Sequence, residues 1–191
     1  MLPLAGVLYT VVFAAMSVLR REGLSTGFLT QSLTITAVFT VANLLGGSRL
    51  HPLAFVLVIY LLTMRVRILL DLGNIFAARG NLATADRIYD LALRLLPSGS
   101  ERCIVAINRG VFRLQAGDAA AAAAALSAVL KSAEYQAAGV KYRSAAHYNL
   151  GVAYNKQGMA AEAAAELGRV LELWPVSEYA RKAQALLKQA R

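Results

Sequence analysis

One short string in the sequence has the residue types of a serine-hydrolase nucleophile. Gly23-Leu24-Ser25-Thr26-Gly27 matches the pattern G-x-S-x-G, in which a strained strand-to-helix turn exposes a serine to a histidine base. Apolar runs of helical length flank the string, so no strand precedes it. The only histidines are His51, at a predicted membrane interface, and His147, far along the chain. We therefore predict a flexible loop here and no catalytic centre.

The chain also lacks the side chains of a metal or disulfide site. A single cysteine, Cys103, excludes an internal disulfide, and one cysteine with two histidines is too few for a protein-built zinc site. We predict no cofactor, no metal and no enzymatic activity. Cys103 and His147 are interpreted as packing residues.

The composition predicts a membrane protein. The 191 residues are 58% hydrophobic and only 16% charged, whereas charged residues approach a quarter of an ordinary soluble domain. Residues 1–65 form the predicted membrane domain, and residues 66–191 form a charged, alanine-rich domain. The charged residues of the first part are Arg20, Arg21, Glu22, Arg49 and Arg65.

Three apolar runs in the first part are predicted transmembrane helices, at residues 2–19, 28–46 and 50–65. The first run is also compatible with a signal peptide, but such peptides begin with positive charge and this run begins without any. The third run is short and is also compatible with a buried core helix. Arg49 and Arg65 bracket it, and both are expected to extend to the bilayer interface.

The arginines also predict the orientation. With three spans and the N-terminus outside, most flanking arginines lie on the inner side and Arg49 alone lies outside, as the positive-inside rule prefers. A two-span hairpin would split these charges between the two faces. We therefore expect a protein of the cytoplasmic (inner) membrane whose second domain is cytoplasmic. The inner arginines are Arg20, Arg21, Arg65, Arg67 and Arg79.

Small and polar residues share one face on each of the first two spans. Their spacing of three or four residues places them together, and such faces allow close helix packing and interhelical hydrogen bonds in lipid. The two faces either pack on each other or dock onto another membrane subunit. The residues are Gly6, Thr10, Ala14 and Ser17 in the first span, and Ser32, Thr36, Thr40 and Asn43 in the second.

Three segments of the second part repeat one another. The spacing of Leu-Gly, aromatic, Gly, Ala and Pro residues resembles the tetratricopeptide repeat, a 34-residue helix-turn-helix unit. The resemblance covers residues 66–191, and it is weaker in the middle copy. It implies an all-α fold in which the membrane helices precede an α-solenoid. The repeats are at about 66–99, 103–136 and 144–177, followed by a capping helix at 177–190.

The glycines and alanines of the repeats have definite physical roles. Gly73, Gly110 and Gly151 are expected where two helices approach too closely for a Cβ atom. Gly80, Gly117 and Gly158 are expected in the left-handed conformation that ends a helix. No turn signal separates Met64 from Ile68, so the third span is expected to continue into the first repeat.

The resemblance also implies a concave groove that holds a peptide or helix of another protein. By position in the repeats, we expect the groove to be lined by Asn74, Ile107, Asn108, Val111, Leu114, Tyr148, Asn149, Val152 and Asn155. Asn74 and Asn108 match the asparagines of a subclass that grips a C-terminal carboxylate. Leu70 and Ala145 stand where that subclass has lysines, so an apolar or helical ligand is favoured.

Two functions follow as expectations. The first is a membrane-anchored scaffold that recruits a protein partner through the groove. The second is a structural subunit of a larger membrane complex, docked through its transmembrane helices. Arg65, Arg67, Arg79, Arg87 and Arg94 either contact anionic head groups or form a solvated surface. Nucleic acid is not an expected partner, because acidic residues are mixed among the basic ones and no aromatic platform is present.

Overall fold

The computed structural model describes residues 1–46 and 51–189, and this part of the chain is helical, without a β-strand. Three predictions fall outside the described residues. They are the outer position of Arg49, the start of the third span at Leu50 and the end of the capping helix at Ala190. The described helices are α1 Leu2–Leu19, α2 Thr26–Leu44, α3 Pro52–Ala78, α4 Leu82–Arg94, α5 Gly99–Gln115, α6 Ala119–Lys131, α7 Ala133–Ala137, α8 Val140–Lys156, α9 Ala160–Leu173 and α10 Glu178–Gln189.

Three of these helices, α1, α2 and α3, are long and apolar enough to cross a membrane. Their buried residues form a small aromatic and aliphatic core, and most of their other leucines and valines are exposed, as suits a surface that faces lipid. α2 starts two residues earlier than predicted, because the Ser25 hydroxyl accepts a hydrogen bond from the Phe28 N–H and caps the helix. The serine of the G-x-S-x-G string is thus a helix cap.

The third apolar helix does not end at the predicted membrane boundary. α3 runs unbroken for 27 residues, about 40 Å, and its second half packs against α4 and α5. The expected continuity between Met64 and Ile68 is confirmed. Arg65, which is expected at the bilayer interface, lies midway along this helix. Its guanidinium donates hydrogen bonds to the Gln31 side chain in α2 and to the Leu95 carbonyl after α4.

Three pairs of helices are each joined by a short turn that contains a glycine: α3 with α4, α5 with α6, and α8 with α9. The turn glycines Gly80, Gly117 and Gly158 have φ of +76°, +86° and +77°, as predicted for residues that end a helix. A Cβ at Gly110 would lie 2.6 Å from Leu126 Cγ, and one at Gly73 would lie 2.4 Å from the Tyr89 ring. The close helix approach predicted at these glycines is confirmed.

The pair boundaries differ from the predicted repeat boundaries at two places. α5 begins at Gly99 and not near residue 103, because Ser98 and Glu101 form a capping box that starts the helix early. α8 begins at Val140 and not near residue 144, and the short helix α7 lies between the second and third pairs. After the third pair, α10 packs on α9 and covers Leu167 and Val170, as expected of a capping helix.

Candidate functional site

The polar faces predicted on the first two spans meet each other. A Cβ at Gly6 would lie 2.2 Å from Thr36 Oγ1, so α1 and α2 are in closest contact at this point. Thr10 and Ser32 are buried beside it. Towards the helix ends the contact loosens: Ala14, Ser17 and Thr40 are half-buried, and Asn43 is exposed.

The hydroxyl groups on these faces do not form the expected interhelical hydrogen bonds. Thr10, Thr36 and Thr40 each donate to the backbone carbonyl four residues earlier in their own helix, at 2.7–2.8 Å. An interhelical bond that the sequence analysis missed joins the Tyr9 hydroxyl to Thr63 Oγ1 at 2.6 Å, between α1 and α3. Neither residue belongs to a regularly spaced set of polar residues in the sequence, so no pattern predicted this bond.

Three of the predicted groove residues line one cavity between α3 and α5. Asn74, Asn108 and Val111 surround a space of about 200 Å³, together with Ala77, Ala78, Tyr89, Phe112 and Gln115. Asn74 Oδ1 accepts hydrogen bonds from the Tyr89 hydroxyl at 2.6 Å and from Asn108 Nδ2 at 2.9 Å. This network fixes the orientation of the Asn74 amide and turns its NH₂ group away from both partners.

Two other predicted groove residues are core residues. Ile107 is 3% exposed and Leu114 is 8% exposed, and both pack in the cluster that contains Leu126 and Leu150. The position-based assignment placed them on the wrong face of α5, because this face is covered by α6 and α8. A charged substitution at Leu114 would therefore disrupt the core and would not report on partner binding.

The predicted groove residues of the third pair do not line this cavity either. Tyr148 stacks on Tyr179 of α10, with ring centroids 5.6 Å apart. The Asn149 amide donates to the Ala145 carbonyl of its own helix at 2.8 Å. Val152 is half-buried against the core cluster, and Asn155 is exposed at the end of α8.

The loop between α1 and α2 packs against the beginning of α8. The Glu22 side chain is 4% exposed and forms ion pairs with Arg67 of α3 and with Lys141 of α8, the latter at 2.7 Å. The Lys141 N–H donates to the Arg21 carbonyl at 3.1 Å. A Cβ at Gly139 would lie 2.1 Å from the Glu22 carbonyl carbon, so the two backbones touch. The loop is therefore a docked segment and not the flexible loop predicted from the sequence.

These contacts correct the expectation for Arg67. It was expected either to contact lipid head groups or to be solvated, but its guanidinium is paired with Glu22 and lies within 3.4 Å of the Tyr142 hydroxyl. One sequence signal pointed to Glu22, because it is the only acidic residue among residues 1–70. Nothing in the local pattern pointed to Lys141, which is 119 residues away in the chain.

A second and larger cavity, of about 440 Å³, lies beside the docked loop. At one end, Phe13, Phe28 and Tyr60 of the membrane helices line it, and at the other end Asp71, Asn74 and Asn108 do. Because Asn74 and Asn108 also line the smaller cavity, the two spaces are adjacent. We call these two adjacent spaces together the groove; the docked loop lines the larger of them.

Acidification is expected to weaken loop docking. Burial raises the pKa of the Glu22 carboxyl, but hydrogen bonds and charges from Lys141 and Arg67 outweigh it and hold the pKa below its ordinary value of 4.5. The docked carboxyl thus binds protons less readily than the free one. Docking is fully stabilised above about pH 4.5 and loses stability as the pH falls through the lowered pKa.

The protection of the Lys141 amide against hydrogen exchange reports this docking, and we expect its protection factor to fall below about pH 4.5. In Glu22→Gln the same factor should be low and nearly independent of pH. A wild-type factor that already declines near neutral pH would contradict the role of the carboxyl.

Both histidines are held in hydrogen bonds to neighbouring groups. His147 Nε2 bonds the Tyr135 hydroxyl at 2.8 Å and its Nδ1 bonds Glu166 at 2.6 Å, while His51 Nδ1 accepts from the Leu53 N–H and caps α3. Within residues 1–46 and 51–189, no cluster of His, Cys, Asp and Glu is arranged to hold a metal ion.

The Cys103 thiol is expected to be unreactive in the folded protein. It is 1% exposed in the core of the second pair, and burial, with a smaller contribution from Glu134, raises its pKa to about 11. Because the thiolate is the reactive form, maleimide labelling at pH 8 should be at least about 100-fold slower than for a free cysteine. Unfolding in detergent should restore the ordinary rate, and rapid labelling of the native protein would contradict the burial.

Compared with protein-family models and with curated proteins, the chain matches none of them.

Proposed function

We propose that the protein is a non-enzymatic, membrane-anchored scaffold of the tetratricopeptide-repeat type that binds a protein partner in the groove. The single observation that supports this best is the cavity between α3 and α5. Its lining combines apolar side chains with the amides of Asn74 and Asn108, and such a surface suits a peptide or a helix. The paired helices with their glycine contacts support the repeat assignment.

The continuity of α3 gives this scaffold a rigid connection to its anchor. The same helix carries apolar lipid-facing residues in its first half and groove residues in its second half. Together with the docked loop it fixes the paired helices to the membrane domain at two places. A partner in the groove would thus be held at a set distance from the bilayer.

The competing function, a structural subunit docked through its transmembrane helices, is less favoured. The polar faces that would serve such docking are in contact with each other at Gly6 and Thr36. The remaining surface of α1 and α2 is mostly apolar and suits lipid. Co-purification of other membrane proteins at a fixed ratio, independent of the groove, would favour the subunit.

Groove binding is tested with two matched substitutions at exposed alanines. Ala78 lines the smaller cavity and Ala83 lies outside it on α4. Ala78→Trp should fill the cavity and reduce partner capture at least about tenfold, whereas Ala83→Trp should leave it unchanged. Capture is measured from native membranes in mild detergent by quantitative mass spectrometry. Equal capture by both variants would contradict a partner site in the groove.

The proposed orientation places the α1–α2 loop and the paired helices together on the cytoplasmic side. The ion pairs of Glu22 with Arg67 and Lys141 support the common side. Leu24 and Leu45 are both exposed, at opposite ends of α2. In intact cells, a membrane-impermeant maleimide should label Leu45→Cys, which lies outside in this orientation, but not Leu24→Cys, which lies inside. Buried Cys103 gives a low background. Labelling of position 24 without permeabilisation would reverse the orientation.

A further inference from the structure

The docked loop places a carboxylate between two basic side chains. Arg67 and Lys141, from the first helices of the first and third pairs, both bond the Glu22 carboxylate. The carboxylate is 4% exposed, but the two basic side chains are each 38% exposed. If the loop leaves, both cations therefore remain on the protein surface, side by side and without this counter-ion.

Besides this ion-pair cluster, the loop touches Gly139 through its backbone at Glu22 and Gly23, but none of residues 20–25 buries an apolar side chain. One backbone hydrogen bond, from the Lys141 N–H to the Arg21 carbonyl, joins it to α8, and the Ser17 hydroxyl donates to Gly23 within the loop region itself. Arg20, Arg21 and Leu24 are exposed. Loops with few buried apolar contacts open at low free-energy cost compared with global unfolding. The loop is thus suited to leave while the paired helices stay folded.

Undocking would also enlarge the groove. Glu22, Gly23, Leu24 and Ser25 form part of the wall of the larger cavity, whose other wall includes Asn74 and Asn108. Arg67 and Lys141 line the same cavity, so an extended segment bound there can contact both the asparagines and this pair. The pair favours a negative charge on that segment, since a carboxylate between two cations forms charge-assisted hydrogen bonds.

We propose that residues 20–25 are an exchangeable occupant of the larger cavity of the groove, and that an acidic side chain of a protein partner replaces Glu22 between Arg67 and Lys141. The proposal rests on the proposed scaffold function. In the free protein the loop keeps the two cations neutralised. Partners that carry a carboxylate at the matching position displace it, and neutral segments do not.

The first experiment measures undocking in the full-length protein in detergent micelles. The Lys141 amide lies in the first turn of α8, where no intrahelical acceptor exists, and its partner is the Arg21 carbonyl. Its hydrogen exchange should become at least about tenfold faster in Glu22→Gln, because charge-assisted bonds are lost. Glu134→Gln, which alters an ion pair with Arg102 elsewhere, is the matched control. Unchanged exchange in Glu22→Gln would show that the ion pairs of Glu22 do not hold the loop in place and would overturn the proposal.

A second variant opens the loop without changing any charge. A side chain at Gly139 would collide with the backbone at Glu22 and Gly23, and this backbone has no flexible end that can move aside. Gly139→Ala should therefore accelerate Lys141 exchange as Glu22→Gln does, with unchanged helix content by circular dichroism. Fast exchange in neither variant would show that the loop is a fixed part of the fold.

The second experiment tests the acidic recognition. The probe is a fluorescent peptide with the sequence of residues 19–26, and its control carries glutamine in place of Glu22. The Glu22→Gln protein, whose own loop has lost its carboxylate, should bind the acidic peptide at least about tenfold more tightly than wild type, and the glutamine peptide weakly. Adding Lys141→Gln should abolish the difference between the peptides. Equal binding of both peptides would overturn the acidic requirement.

Anionic lipid is the other source of negative charge at this position. Wild-type protein in nanodiscs of phosphatidylcholine and of phosphatidylglycerol should show equally slow Lys141 exchange. Rapid exchange in phosphatidylglycerol alone would overturn the assignment to a protein partner and point to head groups. The failure of one proposal can also be told from the failure of the other. Faster Lys141 exchange in Glu22→Gln would support loop undocking, while equal partner capture by Ala78→Trp and Ala83→Trp would reject the groove function.

Discussion

Alanine at Gly110 is expected to destabilise the protein by about 2 kcal/mol, whereas alanine at Gly168 is expected to stabilise it by about 1 kcal/mol. Both glycines lie inside helices, so both substitutions gain the same helix propensity. They differ in space: a Cβ at Gly110 would lie 2.6 Å from Leu126 Cγ and 2.7 Å from its Cδ2, while no atom lies within 4 Å of a Cβ at Gly168. Crowding outweighs propensity at the first site.

Thermal unfolding followed by circular dichroism in detergent measures the difference. The apparent midpoint should fall by about 4–8 °C in Gly110→Ala and rise by a few degrees in Gly168→Ala. A second substitution that shortens the opposing side chain, Leu126→Ala, should cost less in the Gly110→Ala background than in the wild type. Shifts in the same direction for both glycines would show that α5 and α6 are not in the close contact described.

Leucine at Gly6 is expected to separate α1 from α2, at a cost of about 3 kcal/mol or more. The Cβ alone would lie 2.2 Å from Thr36 Oγ1 and 2.5 Å from Thr36 Cγ2. In lipid, helix association depends on close packing, because burial of apolar surface gives no advantage over lipid tails. The apparent midpoint of thermal unfolding in detergent should therefore fall by about 6–12 °C.

The matched control is Ala15→Leu, an exposed position of the same helix whose side chain faces outward. It should leave the midpoint within a degree or two. Because the three atoms nearest to a Cβ at Gly6 all belong to Thr36, Thr36→Gly should recover part of the stability lost in Gly6→Leu. An equal loss in Gly6→Leu and Ala15→Leu would mean that the two spans are not packed through these faces.

The contact at Gly6 also bears on how the protein is assembled in the membrane. The small residues at this contact allow the two helices to pack closely, as predicted. The threonine hydroxyls on the same faces donate hydrogen bonds within their own helices. The bonds between helices come from Tyr9 to Thr63 and from Arg65 to Gln31. Both connect α3 to the α1–α2 hairpin. The helix that carries the groove is thus also the one that the other two spans hold by hydrogen bonds.

Prediction from the sequence succeeded where the signal was local and periodic. Apolar runs of sufficient length predicted three helices able to cross a membrane, and the glycines marked turns and close contacts, because each depends on the residue itself and on neighbours within a few positions. Prediction failed where a helix has two faces and only the packing of other helices decides which of them is buried. Ile107 and Leu114 were assigned to the groove by repeat position, and a helix in contact with two others buries that face instead.

The sequence by itself determined the helical composition, the apolar front with the charged back, and the positions at which helices turn and touch. Only the tertiary structure decided that Glu22 meets Lys141 across 119 residues, that Arg67 is neutralised, and that Asn74 and Asn108 open onto a cavity. The physical reason is the sequence separation over which each interaction acts. Helix formation and capping depend on residues three or four apart, whereas ion pairs and cavities form between side chains that only the packing of distant helices brings together.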